Sequence, residues 1–468
     1  GYHALDEQNF GTATDAYNVA VGFDAGQKVT TGTNNTLIGG LAGDAITTAS
    51  NNTAVGYQAL TTNTTGDVNV AVGANALSAN TTASDNAAFG HNALQDNTTG
   101  ASNTGIGRRA LANNTTASNN TAVGKDALFT NTTGTANVAT GYNSLASNTT
   151  GDFNIAIGYN ALDANTTADD NTAVGTSALG ANTTGASNVA IGKNTLVSNT
   201  TGFDNVAVGA TAGDALTSGN GNTAVGWGSL GSDTLGDRAV AIGKNALTAQ
   251  NFTSTTDNYN VAIGYSAGSS IQTGANNTLI GGLAGDSTTT ASNNTAVGYD
   301  SLGANTTGAS NVSLGAYSLS ANTTAANNTA VGEAALLSNT TASNNTAVGK
   351  DCLRENTTGA QNTAVGRLAL DTNTTGESMV AVGYQALDAN TTGSSNTAIG
   401  REALQANTTT SYSTAVGHQA GFNSTGAQST YVGEGAGYYI TSGAKNTILG
   451  RYNGNQGGLD IRTASNNI

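Results

Sequence analysis

The sequence predicts an all-β protein, a parallel β-solenoid (β-roll) of 17-residue coils, and three observations predict it. A glycine recurs every 17 residues without a slip from Gly22 to Gly243. This glycine is the last residue of a short segment such as "NTAVG". The segment is too short for a helix, and its apolar alternation is typical of a strand. The rest of each repeat is rich in Asn, Thr and Gly, which favour turns. We call one repeat a coil and its recurring glycine the marker glycine.

The spacing of the marker glycines also predicts the domain organisation. It lengthens to 21 residues before Gly264, returns to 17 as far as Gly417, and shortens to 16 at Gly433. The segment that begins at Tyr17 recurs in similar form from Tyr259. The predicted organisation is a first solenoid block over 1–243, a second over 244–433, and a closing coil with a C-terminal transition segment over 434–468.

Composition argues against several classes of protein. The 468 residues include 63 glycines, no proline and only 9% charged residues, which disfavours a conventional globular core. The net charge of −15 disfavours nucleic acid as a partner, because nucleic acid rewards clustered Lys and Arg. No run of about eighteen apolar residues occurs, so we expect no membrane insertion.

Three columns of apolar residues are predicted to build each coil. Val, Ile or Leu precedes the marker glycine in 24 of 26 coils, and we expect this column, with Val55 and Val72, to form the core. Leucine four residues after the marker glycine, as at Leu60 and Leu77, supplies a second core column. Alanine two residues before the marker glycine, as at Ala54, lies on the opposite face of the strand. Its small size suggests close approach by another chain.

Two polar or special columns complete the coil. Asn stands four residues before the marker glycine in 22 of the 26 coils. Because neighbouring strands lie about 4.8 Å apart, Asn52, Asn69 and Asn86 are predicted to form a hydrogen-bonded ladder. The marker glycine, as at Gly56 and Gly73, admits no exception, which indicates a positive φ or no room for a Cβ atom.

The energetics of one coil predict a homo-oligomer. Each coil buries roughly one Val and one Leu, worth about 1.5–3 kcal/mol apiece, against about 1 kcal/mol or more of backbone entropy for each residue. Stacking of coils adds ladder hydrogen bonds and joins the columns, but the core stays thin. We therefore expect other copies of the chain to bury the alanine face.

Two parts of the sequence resemble known families. The segments "NTAVGYQAL", "NVAIGKNTL" and "NIAIGYNAL" resemble the head repeats of YadA-like trimeric autotransporter adhesins, although that family's repeat is a few residues shorter. The resemblance covers nearly the whole chain and implies a left-handed parallel β-roll shared by three chains. The C-terminal "NTILGRYNGNQGGLDIRTASNNI" is similar to the segment that precedes an S74-type intramolecular chaperone in bacteriophage tail fibres.

These resemblances imply a structural, non-enzymatic, homotrimeric rod without a cofactor. They imply a phage tail fibre shaft or receptor-facing adhesin, extracellular and part of the virion, which attaches to a glycan or protein receptor on a host surface. A bacterial extracellular trimeric adhesin or surface filament at the cell surface is the alternative. A glycosylated or ice-binding solenoid is less favoured.

The residue directly after the marker glycine is the most varied of the coil, and we call this set the corner column. It holds eight of the 14 basic residues together with aromatic residues. One interpretation is a ridge that binds glycans or a partner by stacking and charge. The other, which we favour, is a solvated corner whose long side chains cover the apolar column beneath. The candidate ligand-binding residues are Tyr57, Tyr142, Tyr159, Trp227, Tyr265, Tyr299 and Tyr384.

No catalytic or metal-binding residue is predicted. The histidines, His3, His91 and His418, are far apart and lack a metal-ligand pattern. Loop carboxylates such as Asp67 change position from coil to coil, so no coil gathers an acid and a base. Cys352 stands where the repeat usually has alanine, which favours a structural thiol.

The segment "NTT" occurs in sixteen coils and is formally an N-glycosylation sequon. Turn formation by Asn and Thr explains it equally well. Flat ice-binding solenoids space their threonines by two, whereas the adjacent threonines of "NTT" would point in different directions in an extended chain.

Overall fold

The computed structural model describes residues 1–12, 14–456, 459–460 and 462–466, so that part of the predicted C-terminal transition segment lies outside the described residues. The described residues form strands and turns without a helix, and therefore hold no helix that could cross a membrane. The chain folds as two compact units. The first comprises Gly1–Asp237 with Thr253–Thr255, and the second Arg238–Phe252 with the chain from Thr256 onward. Each is a parallel β-solenoid, which confirms the predicted fold class.

The strands are very short, mostly of three residues, because turn-forming residues bound each apolar segment. The first unit contains β1 (Val19–Val21), β2 (Thr36–Ile38), β3 (Thr53–Val55), β4 (Val70–Val72), β5 (Ala87–Phe89), β6 (Thr104–Ile106), β7 (Thr121–Val123), β8 (Val138–Thr140), β9 (Ile155–Ile157), β10 (Thr172–Val174), β11 (Val189–Ile191), β12 (Val206–Val208), β13 (Thr223–Val225) and β14 (Gly236–Asp237). The second contains β15 (Val240–Ile242), β16 (Thr256–Asp257), β17 (Val261–Ile263), β18 (Thr278–Ile280), β19 (Thr295–Val297), β20 (Val312–Leu314), β21 (Thr329–Val331), β22 (Thr346–Val348), β23 (Thr363–Val365), β24 (Val380–Val382), β25 (Thr397–Ile399), β26 (Thr414–Val416), β27 (Thr430–Val432), β28 (Thr447–Leu449), β29 (Asn455–Gln456) and β30 (Leu459–Asp460).

Successive coils stack with equivalent positions aligned. In the first unit β1 to β13 pair in sequence order and in parallel, so that Ala54 lies beside Ala71. In the second unit β15 pairs with β17, and β17 to β28 follow in order. The turns are also tied from coil to coil, as where the N–H of Leu60 donates to the carbonyl of Ala76 at 2.9 Å. A column in the sequence is therefore a column in space.

The core column of the strands is not the predicted one. The alanine two residues before the marker glycine is fully buried, as at Ala54 and Ala71, whereas the Val/Ile column points outwards, with 41% of Ile157 exposed. Val55 and Val72 are only half-buried. The predictions that valine forms the core and that alanine faces another chain are therefore wrong for the folded chain.

The width of the interior explains the difference. Alternation along a strand points only one of two neighbouring side chains inwards, and a leucine from the turn of the preceding coil already fills the space opposite. At Gly105, which replaces the usual alanine, a Cβ atom would lie 3.2 Å from Cγ of Leu94. The interior thus admits a methyl group beside the leucine, and the branched side chain takes the outer face.

The predicted leucine column is confirmed as core. Leu60 and Leu77 are fully buried. Their φ angles are 55° and 52°, a left-handed conformation that costs a non-glycine residue about 1–2 kcal/mol. Burial of the side chain, worth about 1.5–3 kcal/mol, offsets this strain.

Some coils have "AG" in place of "AL", and there a larger side chain on the strand accompanies the smaller residue in the turn. In β2 the inner position holds Leu37 instead of alanine, and glycine replaces the leucine of the turn at Gly26 and Gly43. A Cβ atom would lie 2.5 Å from Leu37 Cδ1 at Gly26 and 2.8 Å from Leu37 Cδ2 at Gly43. The same exchange surrounds Leu279 and Tyr431. Around these glycines a large side chain on the strand replaces the leucine of the turn, whereas Gly213 faces Leu196 and Leu216 instead.

The marker glycines meet both predicted conditions. Gly56 and Gly73 have φ angles of 142° and 140°, which residues with side chains rarely adopt. A Cβ atom on Gly56 would also lie 2.5 Å from the carbonyl oxygen of Gly73 in the next coil. The backbone of each coil therefore approaches the next too closely for any other residue.

The predicted asparagine ladder is present, and its side chains bond to backbone groups as well as to one another. Oδ1 of Asn52 accepts from the backbone N–H of Asn69 at 2.9 Å and from its amide at 3.3 Å. Oδ1 of Asn69 in turn accepts from the N–H of Asn86 at 3.1 Å. The amide of Asn69 also donates to the carbonyl of Ala83 at 2.9 Å. The ladder thus joins the strand of one coil to the turn of the next.

Candidate functional site: a corner column and an apolar sheet face

A second asparagine ladder, not predicted from the sequence, is formed by the Asn of the "NTT" segments. The amide of Asn80 donates to Oδ1 of Asn63 and to the carbonyl of Ala83, both at 2.9 Å. The amide of Asn97 donates to Oδ1 of Asn80 at 3.0 Å. The regular recurrence of this Asn was the feature of the sequence that could have revealed the ladder.

Burial of this ladder decides how the sixteen sequons are interpreted. The Asn side chain of each sequon, such as Asn63, has no exposed surface, so an oligosaccharide could not be attached to it in the folded chain. The two threonines do point in different directions. Thr64 is half-buried and its hydroxyl donates to the carbonyl of Thr81 at 3.0 Å, while Thr65 is exposed.

Loop carboxylates and hydroxyls form a third ladder. Oδ1 of Asp67 accepts from the backbone N–H of Ser50 at 2.7 Å, and the N–H of Asp67 donates to Oγ of Ser84 at 3.0 Å. Oδ1 of Asp169 likewise accepts from the N–H of Asp152 at 2.7 Å. These side chains pair with backbone donors that would otherwise lack a partner in the turn, which explains their recurrence in structural terms.

The corner column is exposed along both units. The exposed fraction of its predicted ligand-binding residues runs from 38% at Tyr384 to 57% at Tyr57. Two of them meet in neighbouring coils, where the rings of Tyr142 and Tyr159 stack with centroids 5.3 Å apart and planes 13° from parallel. The other candidates have no aromatic neighbour of this column in an adjacent coil, and they are Tyr57, Trp227, Tyr265, Tyr299 and Tyr384.

Basic side chains extend the aromatic part of the corner column. Nζ of Lys125 lies 5.0 Å from the ring centroid of Tyr142, which stacks on Tyr159. In the second unit the guanidinium of Arg401 lies 5.8 Å from the ring of Tyr384. Both are cation–π distances. The contacts run along the column and leave more than a third of each of these rings exposed.

An exposed apolar surface runs along the strands of each unit, and we call it the apolar sheet face. It consists of the outward-pointing residues one and three before the marker glycine, which are mostly Val, Ile and Thr and include no charged residue. The exposed fraction is 41% at Ile106 and 39% at Val206. Each unit has thirteen such strands, so the face of each unit exceeds the few hundred Å² that monomeric soluble proteins usually expose.

The remaining candidates for chemistry are packed or isolated. Cys352 is fully buried, and burial raises the pKa of its thiol to about 12, so it is a packed thiol rather than a nucleophile. His91 and His418 are exposed, and Nδ1 of His3 lies 3.4 Å from the carboxylate of Asp24. Among the residues that the structure describes, no three His, Cys, Asp or Glu side chains gather as a metal site.

No protein-family model and no curated protein matches this chain. The structure itself defines the class, a β-solenoid repeat protein with two buried asparagine ladders and a third ladder in its exposed turns. The corner column and the apolar sheet face are two of the surfaces that each unit exposes.

Proposed function

We propose that this chain is the shaft or receptor-facing part of a phage tail fibre, a non-enzymatic homotrimeric rod that attaches the particle to a host surface. The observation that carries the proposal is the pattern of buried and exposed side chains along the coils. Inward-pointing residues fill the core and the two asparagine ladders, while the corner column and the apolar sheet face stay exposed. The likeness of "NTAVGYQAL" to trimeric adhesin head repeats supports the same proposal.

The apolar sheet face supports the homotrimer. Covering it stabilises an assembly by roughly 25 cal/mol for each Å² of apolar surface removed from water. Copies of one chain share the same rise per coil, so equivalent rows of Val and Ile stay aligned along a whole unit. The outer Val/Ile column, and not the alanine column, is therefore the surface through which we propose that three copies associate.

The corner column supports attachment. It begins one residue beyond the marker glycine, beside the apolar sheet face, and we expect it to remain at the rim when that face is covered. Tyrosine and arginine side chains such as Tyr142, Tyr159 and Arg401 are of the types enriched at binding hot spots. They would contact a receptor by stacking and charge.

Adsorption to bacterial cells tests the proposed function. Labelled protein should bind saturably to cells of a susceptible strain and compete with phage adsorption. Replacing Tyr142 and Tyr159 with Ala should weaken binding at least tenfold, whereas Thr65→Ala, an exposed change on a turn, should not. Failure of the parent protein to bind any strain in a broad panel would contradict attachment.

The apolar sheet face also favours a second candidate function, ice binding. Thr346 and Val348 are spaced by two and point outwards together, and nine of the thirteen three-residue strands in the second unit begin with Thr. Ice binding needs this face free, whereas the trimer buries it, so the two candidates exclude each other. Thermal hysteresis from a protein of monomer mass would establish ice binding, and its absence would eliminate it.

A further inference from the structure

A cleft opens in the second unit where the corner column reaches its last coils. Its volume is about 580 Å³, within the range of about 300–1,000 Å³ that is typical of small-ligand sites. The side chains that line it are those of His418, Gln419, Glu434, Tyr438, Tyr439, Arg451 and Asn453.

A glycine creates the space. Gly435 occupies the position that Gln419 holds one coil earlier, two residues after the marker glycine. Its φ angle is 65°, and a Cβ atom there would have no neighbour within 4 Å. The floor of the cleft is therefore bare backbone where the preceding coil carries a side chain.

Aromatic rings form one wall of the cleft. The ring of Tyr438 stacks on Phe422 with centroids 4.9 Å apart and planes 8° from parallel. Tyr439 meets Tyr438 edge to face, also at 4.9 Å, and keeps 46% of its surface exposed. The N–H of Tyr439 donates to the carbonyl of Asn453 at 2.8 Å, which ties the aromatic wall to the opposite side.

Planar polar groups form the rest of the lining. The carboxylate of Glu434 lies 3.4 Å from the guanidinium of Arg451, so the two charges balance. Oδ1 of Asn453 accepts from the N–H of Asn455 at 3.0 Å, which orients its amide.

A hydrogen bond to Glu402 fixes the side chain of Gln419. Its Nε2 donates to Glu402 at 2.7 Å, and Glu402 is also paired with Arg401 at 2.9 Å. The hydrogen bond from Gln419 is the main cause of the lowered pKa of Glu402, with the Arg401 guanidinium adding to it. The buried carboxylate thereby fixes the side chain of Gln419 at the edge of the cleft.

We propose that this cleft binds a neutral saccharide. A sugar ring offers an apolar C–H face that fits an aromatic wall, and a rim of hydroxyls that both donate and accept hydrogen bonds. Carboxylate, guanidinium and amide groups are the complementary partners for such a rim. The balanced charge of Glu434 and Arg451 favours a neutral sugar over an acidic one. The inference rests on the proposed attachment function and adds, to the corner column of the first unit, a second contact site with a stated class of ligand.

Binding to an array of neutral and sialylated oligosaccharides tests the proposal. The full chain should bind neutral members, and Tyr439→Ala or Glu434→Gln should weaken that binding at least tenfold. Tyr412→Ala removes a tyrosine of the same unit that is 67% exposed and lies outside the cleft, and it should leave binding unchanged. Far-UV circular dichroism and the melting temperature of each variant report whether it has folded.

Three outcomes would overturn the saccharide site. They are binding confined to sialylated members, equal binding by Tyr439→Ala and Tyr412→Ala, and no array binding by a parent protein that still adsorbs to cells. The last outcome leaves the attachment function standing. Loss of both array binding and adsorption would overturn both proposals together.

Discussion

At the scale of single residues, each coil carries repeated backbone strain outside its marker glycine. The residue five before the marker glycine has a φ angle near 60°, as at Asn51 (61°) and Val68 (58°). Asparagine tolerates this left-handed conformation, but a β-branched residue does not. Val68 is also 50% exposed, so burial of its side chain offsets little of the strain of the left-handed conformation.

Val68→Asn should therefore stabilise the protein by about 1 kcal/mol, because it relieves strain at little cost in burial. The reciprocal change Asn51→Val, at the same position of the preceding coil, should destabilise by a similar amount. Urea denaturation followed by circular dichroism measures both. Equal effects of the two changes would contradict the left-handed conformation at this position.

The carboxyl group of Asp371 makes stability depend on pH. Burial raises its pKa from 3.8 to about 6, with the neighbouring Asp388 adding to the rise and Arg354 opposing it. Since the folded state favours the protonated carboxyl, stability should fall as pH rises from about 4 to 6 and level off above.

Asp371→Asn keeps the shape and removes the charge. It should raise the free energy of unfolding by about 1–3 kcal/mol above pH 6. At pH 4 the variant and parent should agree. Urea titrations at pH 4 and 7.5 measure the difference, and a variant that is destabilised equally at both values would argue against a strained carboxylate.

At the scale of the coil, a large residue on the strand, such as Leu37, can take the space that the leucine of the turn fills in other coils. Leu37→Ala should cost about 2–4 kcal/mol through the cavity it leaves, and Gly43→Leu alone should be destabilising because its side chain would overlap Leu37. The double variant removes the overlap with Leu37, although Ile46 Cδ1, at 2.8 Å from the same Cβ position, remains, so we expect it to be more stable than the sum of the two changes predicts. A double-mutant cycle should give a favourable coupling of about 1 kcal/mol or more, and additive effects would contradict the exchange.

The repeat allowed much of this coil to be predicted from the sequence. A strict period identifies which residues share a column, which is why the marker glycines, the Leu60 column and the Asn52 ladder were predicted correctly. Alternation shows that Ala54 and Val55 lie on opposite faces but not which face is inside. That choice depends on the volume of the leucine across the core, which is a property of packing rather than of the strand.

The ladder of Asn63 escaped prediction for a related reason. Asn and Thr explain a turn by their local preferences alone, so nothing in one "NTT" segment requires burial. The requirement appears only when coils stack and each amide finds the carbonyl oxygen of its counterpart, as Asn80 does with Asn63 at 2.9 Å. The cleft beside Gly435 likewise depends on a missing side chain at one coil.

At the scale of the whole molecule, substitutions on the apolar sheet face should affect the proposed assembly, whereas substitutions in the core should affect folding. Val174 is half-buried on that face, while its neighbour Ala173 is fully buried in the core. Val174→Asp should dissociate the proposed trimer and preserve the β-type circular dichroism spectrum. Ala173→Asp should disrupt local stacking in any assembly state, because it buries an uncompensated charge. Loss of folded structure in both variants would contradict this separation.

The molar mass in solution tests the central claim, association through the apolar sheet face, most directly. Sedimentation equilibrium or multi-angle light scattering should give about three times the 46.0 kDa of one chain, and the mass of one chain for Val174→Asp. A parent protein that stays at the mass of one chain over the accessible concentration range would contradict the claim.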